Sequence, residues 1–194
     1  MERLEQVLRD QKEELQSTDY SIFVDRNEES EIDLDSRLAQ IVIGVRRCGK
    51  STLCQKVLVQ KGVNFAYVNF DDEYLSSLKA EDLNLVLETL YRIYGQFSHL
   101  FMDEIQNVPK WHLFVNRLLR QGLHIVLTGS NANLLSGELA THLTGRYNEI
   151  RLFPFSFAEY CKAKNIATDA LTTRANGLLL HALSLIHISE PTRP

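Results

Sequence analysis

The sequence predicts an α/β protein, a three-layer sandwich with a five-stranded parallel sheet between helices. Three observations predict it. Short apolar runs alternate with segments of helical period, the order that builds parallel βαβ units. The segment Gly44–Ser51, GVRRCGKS, lies between such a run and a helical segment and fits G-x-x-x-x-G-K-[ST]. A later run, His99–Gln106, reads HLFMDEIQ and carries apolar residues straight into two acids.

The elements follow in chain order. Residues 1–16 read as an amphipathic helix with Leu4, Val7, Leu8 and Leu15 on one side. An acidic, irregular stretch that includes NEESEIDLD comes next. Ala39–Ile43, AQIVI, is the first buried strand, and Ser51–Gln60 a helix. Asn64–Phe70, NFAYVNF, is the second strand. Asp82–Tyr94 is a helix with Leu83, Val86, Leu87, Leu90 and Tyr94 on one stripe. His99–Met102 is the third strand. Pro109 is expected to open the next helix, where a missing N–H costs least. That helix presents Trp111, Phe114, Val115, Leu118 and Leu119 on one face. Leu123–Leu127 is the fourth strand, Ala132–Leu143 a helix, and Glu149–Leu152 a short fifth strand. There is no internal repeat and no low-complexity linker.

Composition bounds the function classes. The chain has 194 residues, 44% hydrophobic and 24% charged, as expected of a globular domain. A net charge of -4 and a pI of about 5.9 argue against a generally basic nucleic-acid-binding surface. No apolar run is long enough to span a bilayer, and the charged start MERLEQVLRDQKEEL is not a secretory signal. Cys48, Cys54 and Cys161 have neither zinc spacing nor a disulfide pattern, so a reduced, cytoplasmic setting is expected. The run from Leu183 to Arg193, LSLIHISEPTR, resembles the translation of a sequencing-library adapter. On that reading residues 183–194 are foreign, Pro194 included, and the natural protein continues beyond Ala182. The expected organisation is a helix and acidic connector over 1–34, a nucleotide-binding core over 35–162, and the start of a truncated C-terminal region over 163–182.

Four segments carry chemistry. In Gly44–Ser51 the turn lets backbone N–H groups point at phosphate oxygens, and the following helix adds its positive N-terminal end. Gly44, Val45, Arg46, Arg47, Cys48 and Gly49, with Lys50, Ser51 and Thr52, are therefore candidate nucleotide-binding residues. Lys50 is expected to reach the β- and γ-phosphates, and the Ser51 hydroxyl to ligate Mg²⁺. Asp103, at a strand end, is the second candidate in the Mg²⁺ shell, and Glu104 the candidate general base for an attacking water. A water-activating glutamate argues against a small-molecule kinase. In IVLTGSNA, Ile125–Ala132, polar residues follow the fourth strand, where the ligand crevice of such a sheet lies. Thr128, Ser130 or Asn131 could sense the γ-phosphate. Arg146, just before the fifth strand, is either a surface arginine or one that neutralises charge in a neighbouring subunit's site. Asp71 and Asp72 follow the second strand and read as solvated acids or a supporting acidic pair. Phe153, Phe155 and Phe157 read as packing residues.

The loop, DEIQNVPKW, TGSNANLLSGEL, LTGR and LFPFSFAEY occur in this order. Together they resemble the AAA-type ATPases of bacteria and archaea that carry a C-terminal domain of unknown function, over about residues 35–162. The resemblance implies a P-loop NTPase fold of the AAA+ (ASCE-like) kind, with the sensor strand between the P-loop strand and the Asp-Glu strand. It implies ATP with Mg²⁺; no guanine-reading N-K-x-D is present. By this likeness Lys50 and Ser51 fall on the Walker A pair, and Asp103 and Glu104 on Walker B. Ser130 and Asn131 fall at the first sensor, and Arg146 near an arginine finger that acts between subunits, which implies a homo-oligomer or protein partner. The expected activity is hydrolysis of ATP to ADP and phosphate, coupled to conformational change in a partner or a C-terminal domain. The alternatives are a slow nucleotide-dependent switch and a motor subunit of a DNA-acting or defence system.

Overall fold

A computed structural model of the chain describes residues 2–130, 143, 145–164, 166 and 177. Its centre is a parallel sheet of five strands: β1 (Ala39–Gly44), β2 (Phe65–Asn69), β3 (His99–Asp103), β4 (His124–Ser130) and β5 (Tyr147–Leu152). Their spatial order is β2-β3-β4-β1-β5, so the strand after the Asp-Glu pair lies between that pair's strand and the P-loop strand, as the resemblance implies. β1 and β3 are buried at every position, which is why both read as unbroken apolar runs rather than alternating ones.

The helices are α1 (Glu2–Ser17), α2 (Lys50–Gln60), α3 (Leu83–Tyr94), α4 (Trp111–Arg120) and α5 (Phe157–Ala163). The pleat divides strand side chains between two cores. Ile41, Ile43, Val68, Leu100 and Met102 pack with α3 and α4 on one face. Val42, Tyr67, Phe101 and Val126 pack with Leu53, Val57 and Leu58 of α2 on the other. This gives the three layers. α1 follows the exposed edge at β2, placing Leu4 and Leu8 in the first core and Leu15 in the second. Its buried Gln11 amide donates to the Asn69 carbonyl at 3.1 Å and accepts from the Asn69 N–H at 2.9 Å. A side chain thus satisfies edge-strand groups that would otherwise invite pairing with another chain.

Two expectations are corrected. Pro109 does not begin its helix: α4 starts at Trp111, after Lys110 in a left-handed conformation (φ 58°). Phe153 and Phe155 are not core residues, being 59% and 45% exposed. The helix expected over 132–143 lies outside the described residues, apart from a buried Leu143. No helix among the described residues is long and apolar enough to cross a membrane.

Candidate nucleotide site

Parallel strands all end at one edge, and the chemistry-bearing residues gather there. Gly44 is opposite Ser130 of β4 and Leu152 of β5, and Asn69 is opposite Asp103. The loop leaves β1 at Gly44, and α2 begins at Lys50 after Gly49 in a left-handed conformation (φ 98°). A glycine suits that turn because a side chain there would be strained. Gly44 is required for a different reason: a Cβ there would lie 2.3 Å from the Leu152 carbonyl oxygen and 2.7 Å from Cys48 Sγ.

Lys50 is buried, with its ammonium group folded into the loop. It donates to the carbonyls of Gly44 at 3.4 Å and Val45 at 3.3 Å, and pairs with Glu104 Oε1 at 3.4 Å. All three contacts are long, so a phosphate oxygen can displace them at little cost. Ser51 Oγ donates to Asp103 Oδ1 at 2.9 Å. The same carboxylate accepts from the Thr128 hydroxyl, and from Tyr67 OH at 3.3 Å. Burial pushes the Asp103 carboxyl above its ordinary pKa, while the hydrogen bonds from Thr128 and Ser51 pull it down. Burial and the Asp103 charge hold the Tyr67 hydroxyl firmly protonated, so it serves as a donor.

Glu104 adopts a left-handed conformation (φ 51°) that turns the chain away from β3. Its N–H donates to Thr128 Oγ1 at 3.0 Å, and its Oε2 accepts from Gln106 Nε2 at 2.5 Å. Asn107 secures the turn by donating to the Phe70 carbonyl at 3.1 Å.

The donor set suits magnesium. Ser51 and Asp103 offer two hard oxygens side by side, and Mg²⁺ prefers few protein ligands, completing its shell with water and phosphate. No group of three or more His, Cys, Asp or Glu side chains among the described residues forms a rival metal cage.

A small open cleft of about 100 Å³ lies beside the start of α2, lined by Phe23, Val24, Arg26, Gly49, Thr52 and Phe155 among others. Arg26, one of these residues, is buried. It donates to Glu159 at 2.7 Å, to the Phe153 carbonyl at 2.7 Å and to the Cys48 carbonyl at 3.4 Å, and lies 4.8 Å from the centre of the Phe155 ring. Lys56 of α2 pairs with Asp25 at 2.6 Å and Glu29 at 2.8 Å. The segment read as an acidic connector is therefore tied to the loop helix by buried cations.

The structure brings together Lys50, Ser51, Asp103, Glu104 and Thr128, with Ser130 adjoining Gly44 at the same edge. Thr128, one of three sensor candidates, uses its hydroxyl to join β4 to the Asp-Glu pair. Asn131 lies outside the described residues. Arg46 and Arg47 are exposed, and Arg46 reaches Asp71 at 3.3 Å. Asp72 accepts from the N–H groups of Tyr74 and Leu75, which makes it a turn cap. Cys48 is buried and points from the loop toward the Leu152 carbonyl, 3.6 Å away. Arg146 is not at this site. It is exposed at the opposite edge of the sheet, where its carbonyl accepts from Ala39 N at 2.9 Å. The length of β1 separates it from the loop, about 17 Å for six residues. Sequence reasoning missed Tyr67, Gln106 and Arg26. Only Gln106 had a local signal, its place two residues after the glutamate.

The chain is similar to known proteins. The sequence model of the AAA domain matches residues 36–161. An uncharacterized protein of Haemophilus influenzae is 41% identical over 144 residues, covering 70% of this chain and 36% of that protein. An uncharacterized protein of Methanocaldococcus jannaschii is 38% identical over 140 residues, covering 72% of this chain and 32% of that protein. The chain thus spans about a third of the length of the curated relatives it matches. Among solved structures, AMPPCP-bound DnaA from Aquifex aeolicus has a TM-score of 0.49 at 17% identity, covering 80% of this chain and 56% of that one. A RuvB variant of Thermotoga maritima has a TM-score of 0.44 at 19% identity, covering 65% and 41%. Family assignment rests on the sequence match, and the fold on the strand order.

Proposed function

This chain belongs to the AAA domain family, and on that premise we propose that it binds Mg-ATP and hydrolyses it to ADP and phosphate. One observation carries the reading: the Lys50 ammonium is 3.4 Å from Glu104 Oε1, beside the Ser51–Asp103 pair at 2.9 Å. A phosphate-binding cation, two magnesium-type oxygens and a candidate base meet at one strand edge. Loop amides and Lys50 would bind the phosphates, and Ser51 and Asp103 would hold Mg²⁺. The ion would supply charge neutralisation at the phosphates. Glu104 would take a proton from water as its oxygen attacks the γ-phosphorus, with ADP leaving. Ser130 and Asn131 are the proposed sensors. The base would lie toward the small cleft that Gly49, Thr52, Phe23 and Phe155 help to line.

The place of Arg146 supports a role between subunits. At the far sheet edge it lies away from its own chain's site: either it is a surface arginine or, as we propose, a second copy would lend its arginine to the site. The same observation favours a second reading, in which the isolated chain is a slow switch whose ATP-bound form is recognised by a partner or by a further domain. The three cysteines are free and buried, which is compatible with a reducing cytoplasm.

The test of the hydrolysis reading is Glu104→Gln. It should retain ATP binding and lose turnover by about a hundredfold or more. Turnover at the wild-type rate would show that Glu104 is not the base.

A further inference from the structure

We infer that Gln106 aims the Glu104 carboxylate at the attacking water by holding one of its two oxygens; this rests on the hydrolysis reading above. Glu104 has two carboxylate oxygens, and each is held. Oε1 faces Lys50 at 3.4 Å, and Oε2 accepts from Gln106 Nε2 at 2.5 Å. The first contact is with a group that phosphate would claim. The second is with a neutral amide in the same turn, which phosphate has less reason to disturb. When Lys50 turns to ATP, the Gln106 amide is the restraint that remains on the carboxylate.

The rest of the amide is equally informative. A carboxylate only accepts hydrogen bonds, so the amide nitrogen must face it and the amide oxygen must point elsewhere. Gln106 Oε1 is buried and has no hydrogen-bond partner among the described residues. Leaving that oxygen unpaired is unfavourable, and the amide keeps this orientation because its nitrogen bonds the carboxylate. The attacking water has two hydrogens, and the free face of the Glu104 carboxylate is the acceptor that it meets. One hydrogen passes to Glu104 as the water oxygen bonds to the γ-phosphorus and the bond to the ADP oxygen breaks. The other stays with the phosphate product.

The turn that carries Gln106 is rigid enough for this task. Glu104 N–H is fixed to Thr128 on β4, and Asn107 to the Phe70 carbonyl beyond β2. Both ends of the turn are thus anchored to neighbouring strands, and the amide reaches back over a short, fixed span.

The experiment is steady-state ATP hydrolysis by wild type, Glu104→Gln, Gln106→Met and Gln106→Glu, with melting temperatures beside it. Methionine keeps length and volume but offers neither amide group. Glutamate keeps an acceptor but removes the donor and sets a like charge against Glu104. Both Gln106 variants should lower kcat by about tenfold or more, with KM for ATP within twofold of wild type and the Mg-ATP melting shift retained. Wild-type kcat in Gln106→Met overturns the proposal. So does a kcat loss accompanied by an equal rise in KM or by a lost melting shift, the pattern of a structural defect. Wild-type turnover in Glu104→Gln would instead overturn the base assignment and the proposal with it. No turnover in wild type would overturn the hydrolysis reading itself.

Discussion

The Ser51 hydroxyl donates to Asp103 Oδ1 at 2.9 Å, across 52 residues of sequence. The strand that leads to Ser51 and the strand that carries Asp103 are not neighbours: β4 lies between β1 and β3. The contact forms because parallel strands end at one edge and α2 begins directly after the loop from β1. The closeness of these two oxygens is thus set by the sheet order, and Thr128, on the intervening strand, bonds the same carboxylate.

Thr128 is fully buried and bonded on both sides, to the Asp103 carboxylate and to the Glu104 N–H. Valine has nearly the same shape and offers neither bond. Thr128→Val should destabilise the protein by about 1–3 kcal/mol, because it strands a buried N–H and a carboxylate. Thr128→Ser, which keeps the hydroxyl, should lose less. Urea denaturation of the three proteins measures this, and equal midpoints for wild type and Thr128→Val would refute the role.

Gly44 has no room for a methyl group against Leu152 and Cys48. Gly44→Ala must push β5 from β1 or shift the start of the loop. A loss of about 1–3 kcal/mol is expected from the overpacking. Val45→Ala, at a position 44% exposed, should change stability by less than about 0.5 kcal/mol. Thermal or urea melts compare the two, and a Gly44→Ala protein as stable as wild type would contradict the close approach.

The strands were legible because buried parallel strands read as apolar runs. The P-loop and the Asp-Glu pair were legible because each is contiguous in sequence. What joins them was not. Tyr67 carries no sign that its hydroxyl meets a carboxylate 36 residues later. Arg26 sits in a stretch that reads as solvated and acidic, yet its partner Glu159 lies 133 residues away. Burial of such a pair is decided by tertiary packing, which local composition does not encode. The phenylalanines after β5 misled for the opposite reason: Phe155 borders an open cleft, where an apolar residue can serve a ligand rather than the core.

At the other edge of the sheet, pH should act on stability. His99 and His124 stack at 4.7 Å between ring centres. His99 Nε2 bonds to the Leu34 carbonyl and Nδ1 to Ser98, and His124 bonds to the Ser36 carbonyl. Burial lowers the His99 pKa and His124 adds to this, while the bond to Leu34 and the Asp35 carboxylate oppose it. The folded value therefore lies below the unfolded one, about 6.5. His99 contributes stability above that value, and the contribution is lost as pH falls from there through the folded pKa. The melting temperature should drop between pH 7.5 and 5.5, and His99→Gln should show a smaller drop. An unchanged drop in the variant would assign the effect to other groups.

The central claim is that the Gly44–Ser51 loop binds Mg-ATP through Lys50. The most direct measurement is the melting temperature with and without Mg-ATP, for wild type and Lys50→Ala. At ligand a hundred times the dissociation constant, binding adds about 2.7 kcal/mol to stability. A clear upward shift in wild type that disappears in Lys50→Ala is the predicted result. A folded wild-type protein with no shift, or an equal shift in both, would contradict the account.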